Sequence, residues 1–200
     1  MSIVSPRPPD RAYEITLGLL NLARLADQSP PPPFAINADG SECVTTLTAA
    51  AFLVRRIAGY ALGRWIDPDT RRTAGPMVDY PEAADHCLEQ ARDAIAYAQG
   101  GFDIPATGRG SAQVADQIVH LAQLTSKSWG PRPSAPPGLA RHAAEKWVEL
   151  HPATDDTFRV VEVAAQLIRF IADLTGDGDL VLDELGAEIF EWQLDDKEGD

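Results

Sequence analysis

Apolar residues recur every three or four positions along most of this chain, and the recurrence breaks wherever proline and glycine cluster. That period is the signature of amphipathic helices. Tyr13, Ile15, Leu19, Leu20, Leu22, Ala23 and Ala26 predict a first helix from about Arg11 to Gln28, halted by Ser29 and the Pro30–Pro33 run, a stiff connector. A turn cluster, Asn37 to Ser41, precedes a long helix to about Ile66, with Ser41 as its expected N-cap. There Val44, Leu47, Ala51, Val54, Ile57, Ala58, Ala61 and Trp65 share one broad face. Pro81 opens a third helix to about Gln99, stopped by Gly100 and Gly101. Ser111 starts a fourth to about Ser128, and a shorter fifth spans Leu139 to Leu150 before Pro152.

The sixth helix, Thr157 to about Leu174, differs in kind. Val160, Val161, Val163, Ala164, Leu167, Ile168, Phe170 and Ile171 cover most of its circumference and leave a narrow polar stripe of Glu162, Gln166, Arg169 and Asp173. A helix apolar nearly all round is usually central. A seventh is expected from Asp183 to about Leu194. No stretch alternates with period two, and no internal repeat is visible. The expectation is a mainly α, single-domain bundle of about seven helices with proline-rich connecting loops, packed around 42–66 and 157–174. Residues 1–10 would form an N-terminal tail, 11–194 the domain and 195–200 an acidic tail.

Composition sharpens this at one end of the chain. Hydrophobic residues make up 44% and charged residues 24%, ordinary for a soluble globular protein. The net charge of −13 is not spread evenly. Residues 173–200 hold eleven acids against Lys197 alone, and the rest of the chain holds 19 acids against 16 Lys and Arg. Such a C-terminal end repels phosphate backbones, so nucleic acid is not an expected partner, whereas a cation or a basic protein is. The longest apolar region, around Cys43 to Ile66, is interrupted by Arg55, Arg56 and Arg64, so no membrane span is expected. Cys43 and Cys87 fit neither a zinc spacing nor a disulfide framework and read as reduced packing residues of a cytoplasmic protein.

Several acid–histidine spacings match those of metal sites in helical bundles, whose ligands face inward. Glu82, His86, Glu89 and Asp93 share one face of the third helix, but Ala84, Cys87, Leu88 and Ala91 lie opposite. Asp116 with His120 opposes Val114, Ile118, Leu121 and Ala122, and His142 with Glu145 and Glu149 opposes Ala143, Trp147 and Leu150. All three sets read as solvated faces. GxSxG, HExxH and P-loop patterns are absent, and the Arg55-Arg56 and Arg71-Arg72 pairs read as surface charge.

The stretch Asp173 to Glu184, DLTGDGDLVLDE, holds oxygen-bearing side chains at positions 1, 3, 5 and 12, glycine at 6 and an aliphatic residue at 8. It resembles the calcium loop of the EF-hand family. The resemblance implies Asp173, Thr175 and Asp177 as side-chain ligands, the Asp179 carbonyl at position 7 and Glu184 as the bidentate ligand. It also implies Gly178 as the sharp turn and Leu180 pointing into the core, with Leu185, Ile189 and Trp192 as the apolar stripe of the exiting helix. Thr175 stands where the family usually has an acid, Val181 offers no polar side chain at position 9, and Arg169 precedes the loop. No second loop is visible. Calcium affinity on the order of 10⁻⁴ M or weaker is therefore expected.

Glu188 and Glu191 form an ExxE that is similar to the magnesium-binding helix of the all-α nucleotide pyrophosphohydrolases, but the following ExxD helix is absent. Three functional readings result, with binding ahead of catalysis. They are a structural or regulatory protein with a degenerate cation loop, an immunity- or adaptor-type module offering an acidic face to a basic partner, and a metal-dependent pyrophosphohydrolase.

Overall fold

The computed structural model describes residues 8–25, 35, 39–66, 81–98, 109–124, 133, 136–151, 156–174 and 177–198. Seven α-helices and no strands occur among them: α1 (Pro8–Arg24), α2 (Gly40–Ile66), α3 (Pro81–Ala98), α4 (Arg109–Leu124), α5 (Gly138–Leu150), α6 (Asp156–Asp173) and α7 (Gly178–Glu198). The tail at 1–7, the Pro30–Pro33 connector, the 67–76 and 102–108 loops, most of the 130–138 segment, and Thr175 and Gly176 lie outside the described residues. The fold is the expected mainly α, single-domain bundle.

Helix α2 is its axis. It packs against α1, α3, α4, α5 and α6, and every side chain from Thr46 to Ala58 is buried. The expected single apolar face is therefore a full circumference. Small residues make this possible, because Ala49, Ala50, Ala51 and Ala58 let neighbouring helices approach from several sides. The buried threonines satisfy their hydroxyls locally: Thr46 Oγ1 donates to the Glu42 carbonyl (2.9 Å) and Thr48 Oγ1 to the Val44 carbonyl (3.0 Å). Asp39, not Ser41, caps the helix, its Oδ1 accepting the Glu42 N–H at 2.7 Å.

The surface reading of Arg55 and Arg56 is overturned by the same geometry. Arg55 is 2% exposed and Arg56 8%, because α2 has no solvent face at this level. Arg56 lies over the Trp192 ring at 5.5 Å from its centroid and donates from Nη2 to Glu188 at 3.3 Å. A second internal ion pair joins α1 to α2, where Arg11 Nε donates to Glu42 Oε2 at 3.1 Å and Nη1 to Glu14 at 2.7 Å.

Helix α6 packs against α1, α2, α4 and α7. Val160, Val161, Val163, Ala164, Leu167, Ile168 and Ile171 are buried, while Glu162 and Asp173 are exposed. Its narrow polar stripe is as expected. The acid–histidine residues face outward where described: His86, Glu89, Asp93, His142 and Glu149 are exposed, and Asp116 pairs outward with Arg92 at 3.2 Å. On α5 the inward side is Ala140 and Ala144, not Leu150, which is 77% exposed at the helix end. Cys43 and Cys87 are buried thiols. No helix of the described residues is long and apolar enough to cross a membrane.

Candidate functional site

Helix α7 begins five residues earlier than its hydrophobic pattern suggests and runs through Glu198. Asp177 sets the start. Its Oδ1 accepts the Leu180 N–H at 3.4 Å and its carbonyl accepts the Val181 N–H at 3.2 Å, the geometry of an N-cap. Asp179 then sits in the first turn, where the positive end of the helix dipole favours a carboxylate. Gly178 is required by close approach. A Cβ there would lie 2.4 Å from Asp173 Oδ1 and 3.2 Å from the Asp173 backbone nitrogen.

This early start redistributes the residues of the 173–184 window. Asp173 and Asp179 come together on one cation, the Arg169 guanidinium: Nε donates to Asp173 Oδ2 at 3.1 Å and Nη1 to Asp179 Oδ1 at 2.6 Å. Those hydrogen bonds, Asp173 first, hold the arginine pKa above its ordinary value. Asp177 caps the helix. Glu184 lies five helical residues beyond Asp179, about 140° further round the axis at about 100° per residue, so the two do not converge. Thr175 lies outside the described residues. Leu180, expected in the core, is 40% exposed, and Val181 and Leu182 take the inward places. Among the described residues no group of three or more His, Cys, Asp or Glu side chains is arranged to hold a metal ion.

From Val181 onward α7 is fastened along its length. Val181, Leu182, Leu185 and Ile189 are fully buried, and Trp192 meets Phe52 edge to face at 6.5 Å between centroids. The inward apolar stripe expected at Leu185, Ile189 and Trp192 is in place. Polar fasteners join α7 to its neighbours. Asp183 pairs with Arg24, Glu188 with Arg56, and the buried Tyr13 hydroxyl donates to Asp196 Oδ2 at 2.5 Å. Because Arg24 meets the start of α7 and Tyr13 its end, α1 and α7 run antiparallel. Burial raises the Glu188 pKa, and the nearby Glu191 charge adds to the rise, while Arg56 opposes it. Of the ExxE pair, Glu188 is thus turned to Arg56 and Glu191 is exposed.

What sequence reasoning missed is on the other side of the helix. Leu180, Ala187, Phe190 and Leu194 are exposed, with Phe190 at 52% and Leu194 at 46%. Their spacing of 180, 187 and 194, with 190 between, places them within about 80° of one another and opposite the buried stripe. The signal was the seven-residue recurrence, obscured because the inward and outward apolar stripes overlap in sequence. Glu191 and Asp195 flank this outer stripe on one side, Asp183 lies within its arc, and all three are exposed.

Compared with family models, curated proteins and solved structures, the chain matches none.

Proposed function

We propose that this chain is a protein-interaction module of adaptor or immunity type, in which a helical scaffold offers the outer face of α7 to a basic protein partner. The observation that carries the reading is the division of labour among the acids of α7. Asp196 and Glu188 join α1 and α2 and hold the helix in place. Glu191 and Asp195 stand outside on the same helix, within a C-terminal region carrying eleven acids against one lysine. A fixed helix with a predominantly acidic outer face steers an oppositely charged partner and repels nucleic acid and anionic lipid. The test is binding of a fluorescent lysine-rich peptide. Binding that weakens steeply with salt, survives chelator and drops in Glu191→Lys/Asp195→Lys supports the reading. Absence of salt-sensitive binding removes it.

A calcium-dependent variant of the same module is the second reading, supported by the convergence of Asp173 and Asp179 on one cation. Calcium would take the place of Arg169 between those carboxylates, and the first turns of α7 would have to open for the Asp179 carbonyl and Glu184 to reach it. Thermal unfolding with and without millimolar calcium decides this. A rise in melting temperature that Glu184→Gln abolishes supports it, and an unchanged melting temperature excludes it.

A further inference from the structure

The charge of α7 alone would suit any basic chain, but its outer face carries more than charge. We propose that the stripe Leu180, Ala187, Phe190 and Leu194 docks a basic amphipathic helix, apolar along one face and bordered by lysine or arginine. This inference rests on the interaction-module reading and specifies its partner.

Three observations lead there. First, α7 is apolar on two opposite faces. Its inner face is satisfied by the bundle, with Val181, Leu182, Leu185 and Ile189 fully buried, and the outer stripe adds a second apolar surface with Phe190 and Leu194 about half exposed. Large apolar side chains aligned in one stripe mark an interaction surface, in contrast to apolar residues scattered singly. Second, the stripe has helical dimensions. Positions 180, 187 and 194 recur every seven residues over about 21 Å of helix, the recurrence by which one helix seats along another. Third, one border is acidic. Glu191 and Asp195 edge the stripe on one side, Asp183 lies within its arc and pairs with Arg24, and the single basic residue of the helix is Lys197 at its end.

The acidic border selects the occupant. An antiparallel second copy of the chain would bring the same carboxylates against these. A lipid surface carrying anionic headgroups is repelled for the same reason. A helix with lysines or arginines beside its apolar face pairs with the border while its apolar residues cover Phe190 and Leu194, which combines steering with desolvation.

The test uses the full chain with two labelled peptides followed by fluorescence anisotropy. One is an amphipathic leucine–lysine helix, and the other has the same lysines with every leucine replaced by serine. The leucine–lysine peptide should bind at least about tenfold more tightly at physiological salt. Phe190→Ser/Leu194→Ser should bring it down to the level of the serine peptide, with an unchanged helical circular dichroism spectrum because both side chains lie outside the bundle. Equal binding of both peptides, indifferent to that variant, overturns the docking stripe and leaves the acidic-face reading standing. Failure of both peptides to bind removes both. Sedimentation of the wild type as a dimer that Phe190→Ser/Leu194→Ser renders monomeric assigns the stripe to a second copy and overturns the proposal.

Discussion

Single residues do work here that their type alone does not disclose. Arg56 occupies the interior of a helical bundle because Trp192 takes its face and Glu188 its edge. For Glu188, burial outweighs the attraction of Arg56 and lifts its pKa. A carboxyl whose pKa is higher folded than unfolded adds stability below its unfolded value and loses that contribution as pH rises through the folded one. The stability advantage of wild type over Glu188→Gln should therefore shrink as pH rises from the ordinary glutamate range upward, read from melting curves at successive pH values. Cys87 is a second case, its thiol pushed up to about 11 by burial. It should resist thiol reagents at pH 8 in the folded protein and react on unfolding. Gly178 is the third. Gly178→Ala drives a methyl group onto Asp173 and should cost about 1–2 kcal/mol in denaturant unfolding, with loss of the Arg169 pair.

At the scale of elements, the helical period was legible almost everywhere, because alternation of buried and exposed faces is written directly in residue type. The ends were less so. Asp177-Gly178-Asp179 reads as a loop by composition, yet an aspartate N-cap followed by a first-turn aspartate is also how a helix begins, and α7 takes that course. The same ambiguity runs through the cation-loop pattern of 173–184, in which Asp177 serves as the N-cap. The two-sided character of α7 was hidden for a related reason, since Leu180-Val181-Leu182 contributes to both faces at once. It yields a contrast that alanine substitution can read. Ile189→Ala, on the inner face, should cost about 2–4 kcal/mol of stability. Phe190→Ala, its neighbour on the outer face, should cost less than about 1 kcal/mol and weaken peptide binding instead.

For the whole molecule, the arrangement follows from one helix being surrounded. The centrality of α6 was readable from its nearly continuous apolar surface. That of α2 was masked by threonines, alanines and two arginines, whose burial depends on partners distant in sequence such as Glu188 and Trp192. Long-range satisfaction of this kind has no local signature. It also explains how a helix as acidic as α7 stays bound to the bundle: Tyr13, Arg24, Arg56 and Arg169 receive Asp196, Asp183, Glu188 and Asp179, while Glu191 and Asp195 are exposed.

Titration of the leucine–lysine peptide into wild type and into Glu191→Lys/Asp195→Lys, at about 50 and 200 mM salt, bears most directly on this assignment. The outer face of α7 predicts saturable binding to wild type that falls by at least about tenfold between the two salts, and at least as large a loss in the charge-reversed variant. Equal binding by both proteins, or none by either, would contradict it.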